Sequence, residues 1–168
     1  MSKIVSNASP LIYLTKIGRL DLLKTIFGEV IIPIEVKEEI IDQGERLKEK
    51  DAYIIEKGVE DGWIKVIKTR PIKIPIIVHK GEKAAISLAK NLKIRDVLID
   101  EISARTAAKL LDLKPKGTLF ILLKALEINL ISFDEFLDTL NQLISEGFRL
   151  SEEVYITAVK EAKRISGE

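Results

Sequence analysis

Residues 4–14, IVSNASPLIYL, set an apolar pair directly before the polar run Ser6-Asn7-Ala8-Ser9, followed by Pro10 and a second apolar run. Ile4-Val5 has the β-branched character of a short buried strand. Ser9 is a favoured helix N-cap type, and Pro10 suits the first helical position, where its missing N–H costs nothing. Leu11, Leu14 and Ile17 carry that helix on to Gly18. A strand that empties through polar residues into a helix is the opening of an α/β unit. The polar residues then lie at the strand's carboxyl end.

The same alternation continues along the chain. A helical stretch from Leu20 to Phe27 breaks at Gly28, and Val30-Ile31-Ile32 forms a strand that Pro33 closes. Ile34 to Gln43 is expected to be helical up to Gly44, and the charged stretch Glu45 to Val59 to be an exposed helix. Trp63 to Ile67 alternates as a strand does. After the irregular KTRPIKIPIIVHKG (68–81) come a helix from Glu82 to Asn91, the strand Val97-Leu98-Ile99, a helix from about Ser103 to Leu111, and three further helical segments. Strands alternating with helices predict a three-layer α/β/α domain around a parallel sheet of four to five strands. One domain over 1–168 is expected, with extra helices over about 132–166 as a C-terminal extension. Neither repeats nor a low-complexity linker interrupt it.

Composition narrows the function. The 168 residues are 46% hydrophobic and 32% charged, enough for one sizeable core. With no cysteine, disulfides and thiolate metal sites are excluded, and a cytoplasmic address is the expectation. The first residues lack a signal peptide's layout, and no apolar run approaches the roughly 18 residues of a membrane span. Abundant Ile, Lys and Glu with two glutamines resembles a thermophile's composition. A net charge of +1 disfavours a uniformly basic nucleic-acid binder but leaves room for a local basic strip.

In an open α/β sheet, ligands bind beyond the carboxyl ends of the strands, so polar residues just after strands carry most information. Asn7 follows the first strand, and Asp100-Glu101 follows VLI. Glu39 precedes core-facing Ile40 in PIEVKEEI (33–40), and Glu82 opens a helix in GEKAAISLA (81–89). If these elements meet at one end of the sheet, the carboxylates converge and call for a divalent cation. An all-oxygen donor set selects Mg²⁺ or Mn²⁺ over zinc. Each residue also has a structural reading. Asn7 with Ser9 could form a turn and cap, Asp100 or Glu101 could cap the next helix, and Glu82 could complement a helix dipole. Glu35 and Glu38 are expected to be solvated helix charges beside Lys37, and His79 a surface or turn residue.

SNASPLI (6–12), PIEVKEEI, GEKAAISLA and LIDEISAR (98–105), in this order, resemble the PIN domain, the fold of VapC-type toxin ribonucleases and related nucleases. The likeness is greatest to a prokaryotic subgroup opening with SNxSPLI, and it extends to GTLFILLKA (117–125) and GFRLSEEVY (147–155). It implies a Mg²⁺- or Mn²⁺-dependent hydrolase of single-stranded RNA phosphodiesters. By position, Glu39, Glu82 and Asp100 would be metal ligands, directly or through water, with Glu101 assisting and Ser9 orienting the side chain after the first strand. Asn7 stands where active PIN domains usually carry Asp; its amide oxygen can coordinate but brings no charge. An antitoxin partner and a homodimer are further implications of the likeness.

Between Trp63 and Lys83, the cations Lys65, Lys68, Arg70, Lys73, Lys80 and Lys83 face a single acid, Glu82. They are candidates to track an RNA backbone, or a lysine-decorated surface. A PIN-like module that binds RNA or protein without catalysis is the main alternative, and the missing first Asp is its signature. A haloacid-dehalogenase-type phosphatase would need an aspartate nucleophile where this chain has SNAS. A Rossmann nucleotide binder would need a glycine-rich turn there, which is absent.

Overall fold

The computed structural model describes residues 2–41 and 49–168. Its strands in chain order are β1 (Lys3–Ser6), β2 (Glu29–Pro33), β3 (Ile64–Ile67), β4 (Asp96–Leu98) and β5 (Lys114–Lys116). The helices are α1 (Ala8–Lys16), α2 (Asp21–Phe27), α3 (Ile34–Ile41), α4 (Glu49–Glu60), α5 (Lys80–Leu92), α6 (Ile102–Leu110), α7 (Thr118–Glu127), α8 (Phe133–Ser145) and α9 (Glu152–Ser166). The five strands form one parallel sheet in the order β3-β2-β1-β4-β5.

Strand periodicity explains the three layers. Successive residues point to opposite faces of a sheet. Ile4, Val30, Ile32 and Leu98 therefore join one core, filled by α1, α2, α7, α8 and α9, while Val5, Ile31, Val97 and Ile99 join another beneath α5 and α6. Ile4 and Val5 are both fully buried, which is why the pair carries no polar alternation in the sequence. The α/β/α expectation is met.

The chain lays down β1, β2 and β3 on one side, then crosses to build β4 and β5 on the other. The switch falls between β1 and β4, the place where such sheets open a crevice at their carboxyl edge. Asn7 lies directly over it, its N–H donating to the carbonyl of Leu98 at 2.9 Å.

Several boundaries differ from the sequence expectation. Asn7, not Ser9, occupies the N-cap position of α1, so Pro10 is the third helical residue. That position is equally tolerant, because the first four helical N–H groups lack intrahelical acceptors. The exposed helix expected from Glu45 is α4, and it is not wholly exposed. Ile55 is fully buried, and at Gly58 the helix comes so close to β3 that a Cβ would lie 2.6 Å from Ile64 Cδ1. The expected end of the preceding helix at Gln43-Gly44, and the first residues of the Glu45 stretch, lie outside the described residues. A fifth strand falls within the expected four to five, but its place at β5 was not foreseen. Its sequence, Lys-Pro-Lys, has no apolar alternation, and it survives as an edge strand. Lys114 N–H donates to Arg95 and the Lys116 carbonyl accepts from Ile99, so the proline's missing donor faces away from the sheet.

The helices after β5 complete the first core with Phe136, Leu140, Leu143, Ala158 and Ala162. Ser132 and Ser151 cap α8 and α9, accepting from Glu135 N–H and Val154 N–H at 3.1 Å each. The link from β4 to this helical part is Asp100. Thr118 donates its backbone N–H to Asp100 Oδ1 at 2.7 Å and its hydroxyl to Oδ2 at 2.8 Å. Gly117 permits that approach, since a Cβ there would lie 2.9 Å from Oδ1. Thr118→Val keeps the shape, removes one donor and leaves a half-buried carboxylate oxygen unpaired. Urea denaturation should show a loss of about 1.5–3 kcal/mol, the scale for a hydrogen bond to a charged group.

Candidate functional site

At the carboxyl edge of the sheet lies a cleft of about 610 Å³ lined by Asn7, Ser9, Glu35, Glu38, Glu39, His79, Lys80, Gly81, Glu82 and Glu101. Four segments build it. β1 leads into Asn7, the N-cap of α1, which brings Ser9; α3 contributes Glu35, Glu38 and Glu39; the start of α5 contributes residues 79–82; Glu101 precedes α6.

Asn7 is 7% exposed, and although it stands at an N-cap position its side chain caps nothing. Its Oδ1 is buried without a hydrogen-bond partner. Glu35 Oε2, in the same cleft, is also buried and unpartnered. Leaving a buried polar acceptor unpaired costs about 1–3 kcal/mol, and more when it is charged. Two such oxygens in one cleft fit an electropositive occupant.

Gly81 brings the first turn of α5 against α3. A Cβ at that position would lie 2.5 Å from Glu39 Oε2 and 3.4 Å from Asn7 Oδ1. Glu82 is 4% exposed, and its Oε1 accepts the His79 backbone N–H at 3.0 Å, as in one half of a capping box. Burial pushes its carboxyl above the usual range; the His79 N–H and imidazole oppose the rise, and the charges of Glu101 and Glu39 add to it. Both neighbours line the same cleft as Glu82.

Asp100 sits differently. It does not line this cleft but an adjoining one of about 510 Å³, with which the first shares Ser9 and Glu101. Burial raises its pKa, the two Thr118 bonds and Arg105 oppose the rise, and Glu101 adds to it. Glu35 and Glu38, expected to be solvated charges, line the acidic cleft, and Glu35 is half-buried. The i,i+4 spacing of Glu35 and Glu39, which puts both on one helix face, was the available signal. His79 is exposed, as expected, at the N-cap position of α5.

Among the described residues, no three Asp, Glu or His side chains form a ready-made metal cage. The donor set nevertheless fits Mg²⁺ or Mn²⁺: acceptor oxygens alone, two of them unpaired, for an ion that usually keeps several waters and takes few protein ligands.

The DUF3368 family model, a PIN domain, matches residues 3–164. The chain belongs to the PIN domain family. PIN domains are generally nucleases and typically depend on divalent metal. No curated protein matches the chain. Among the described residues, no helix is long and apolar enough to cross a membrane.

The six expected basic residues of this PIN domain do not gather at the cleft. Lys80 lines it and Lys83 lies in the same first turn of α5. Lys65 pairs with Glu29 at 3.1 Å. The segment before α5 runs antiparallel to that helix: Ile72 N–H donates to Ser87 Oγ at 3.2 Å and Arg70 N–H to Asn91 Oδ1 at 2.8 Å. That anchors Arg70 beside the far end of α5, about 16 Å along the helix axis from Lys80. Lys68 and Lys73 are exposed on the same segment.

Gly81 offers a test of the cleft's geometry. Gly81→Ala is favourable for helix propensity by about 0.5–1 kcal/mol but displaces the mobile end of Glu39. The apo melting temperature should hold or rise, while the further rise produced by Mn²⁺ should shrink.

Proposed function

We propose that this PIN domain is a Mg²⁺- or Mn²⁺-dependent endoribonuclease that hydrolyses phosphodiesters of single-stranded RNA. The observation that carries the reading is the buried, unpartnered Asn7 Oδ1 in a cleft walled by five glutamates. Glu39 and Glu82, with the Asn7 oxygen and Glu35, would hold the ion. Asp100, both of whose oxygens already accept from Thr118, would act through water, and Glu101 joins from the cleft wall. Ser9, two residues after Asn7 in the first turn of α1, borders the cleft and would orient the Asn7 side chain.

When bound, the ion would neutralise charge on the phosphate and acidify the attacking water. The carboxylates accept the water's hydrogen bonds and aim it at phosphorus. Water oxygen bonds to phosphorus, the bond to the leaving oxygen breaks, and the water's proton ends on that oxygen. Lys80 and Lys83 offer the nearest cations of the basic strip to the RNA, with Lys65, Lys68, Arg70 and Lys73 further along its course. A toxin role with an antitoxin partner, and a cytoplasmic homodimer, are what the likeness to VapC-type proteins adds. Two copies would meet through exposed apolar residues such as Ile144, Val154 and Ile156.

Two observations favour a second reading, a catalytically weakened PIN-like module that binds RNA or protein. Asn7 lacks the charge of the usual Asp, and the described residues hold no preformed three-ligand cage. The purified protein should cleave single-stranded RNA slowly with Mn²⁺ or Mg²⁺ and stop with EDTA. Glu39→Gln should lower the rate on the order of 10-fold to 100-fold, the usual cost of disturbing a metal's surroundings. Cleavage that persists unchanged in that variant would belong to a contaminant.

Asn7→Asp separates the two readings. A nearly isosteric charge added beside Glu39 should lower apo stability by like-charge repulsion and raise divalent-metal affinity on the order of tenfold, seen as a larger Mn²⁺-induced rise in melting temperature. Equal rises in both proteins would favour the binding module.

A further inference from the structure

The second cleft is open for a role, because it continues from the acidic one across Ser9 and Glu101 and its far wall is of the opposite character. That wall is made by Tyr13 and Lys16 of α1 and by Phe148 and Arg149 of the turn between α8 and α9. The two aromatic rings meet edge to face with centroids 5.1 Å apart, and the Lys16 ammonium lies 5.8 Å from the Tyr13 ring centroid. Neither Lys16 nor Arg149 makes an ion pair with a carboxylate among the described residues, so both charges are available to a ligand. The turn is built to hold this position. Gly147 takes φ +94, which a side chain would strain, Phe148 N–H donates to the Leu143 carbonyl at 3.0 Å, and Tyr13 donates its hydroxyl to the Gly147 carbonyl at 3.4 Å.

We propose that this cleft is the binding track for the phosphodiester backbone of single-stranded nucleic acid flanking the acidic cleft, with Lys16 and Arg149 contacting phosphates and the Tyr13–Phe148 pair forming an apolar floor for the sugar or base. The proposal rests on the nuclease reading for its substrate class and extends it. It gives the α8–α9 pair a part in the site, since their connecting turn delivers half of the track. A phosphate chain that enters an acidic cleft needs cations close beside it, and Lys16 and Arg149 stand across one shared wall, whereas Arg70 is anchored near the distal end of α5. An aromatic floor beside paired cations is the usual combination for single strands.

The test uses fluorescence anisotropy with labelled 12-mers of uridylate and of thymidylate, in EDTA so that nothing is cleaved, at several salt concentrations. Lys16→Ala/Arg149→Ala should weaken binding on the order of tenfold at low salt and flatten the log–log salt dependence by about 1.4, as loss of two single-strand phosphate contacts requires. Arg149→Lys should recover most of the binding. Both residues reach solvent, and a circular dichroism melt like the wild type's verifies that the fold is kept; should the double variant melt early, Arg149→Glu alone carries the same test. The uridylate and thymidylate arms decide whether the track takes RNA, DNA or both. Binding and salt slope unchanged in the variants, or wild-type protein that binds neither oligomer, would overturn the proposal. So would a loss on the order of tenfold in Lys68→Ala/Lys73→Ala with none in the Lys16/Arg149 variant. Loss of binding in the Lys16/Arg149 variant alongside wild-type protein that never cleaves RNA with Mn²⁺ would support the track while removing the nuclease reading, so the two failures are distinguishable.

Discussion

Parallel pairing of the four-residue strand β1 on both its sides positions everything at the carboxyl edge. Its partners β2 and β4 lead into α3 and into Asp100-Glu101, so the register of β1 sets how the acidic segments face one another. The strand is short, and its hold comes from burial: Ile4 in one core, Val5 in the other, both fully shielded. A one-residue slip would exchange those faces and carry Asn7 out of the crevice. The Asn7 N–H to Leu98 bond extends that register by one residue, into the site itself.

Two acceptors at this edge show how one sequence serves both stability and chemistry. Asp100 is satisfied twice by Thr118 and fastens the second half of the sheet to α7. Asn7 Oδ1, across the switch point, is buried and receives nothing. Removing a donor from the first should unfold the protein more easily. The second has no donor within the protein, and a cation is the kind of occupant that would satisfy it. The like charges of Glu101 and Glu39 near Glu82 have the same sense, since a bound cation would offset the repulsion they exert on it.

Most of the fold was legible because its signals are local and redundant. Leu20 to Phe27 and Val30 to Ile32 are bracketed by Gly28 and Pro33, and the apolar periods of α5 to α9 are long. β5 was not legible, since Lys-Pro-Lys becomes a strand through the pairing that β4 offers and not through its own preference. For the site, Glu101 was singled out from its place after a strand, Glu82 from its place at a helix start and Glu39 from its place on a helix just before core-facing Ile40, and all three line one cleft. Glu35 was missed because a charge beside Lys37 has an ordinary surface explanation, and only the tertiary approach of α5 through Gly81 makes that face of α3 an interior one. Placement of the basic residues could not be read from their clustering in the sequence. The chain between Lys68 and Lys80 doubles along α5 and separates its ends.

The proline in β5 has a bearing on how the molecule behaves at high concentration. An incoming strand needs regularly spaced donors along an open sheet margin, and here the central one is missing while lysines flank the gap. Continuous growth of the sheet from molecule to molecule is therefore blocked on that side by a single ring closure in the backbone. The protein can carry a short, exposed margin without that margin becoming a seed for fibrils.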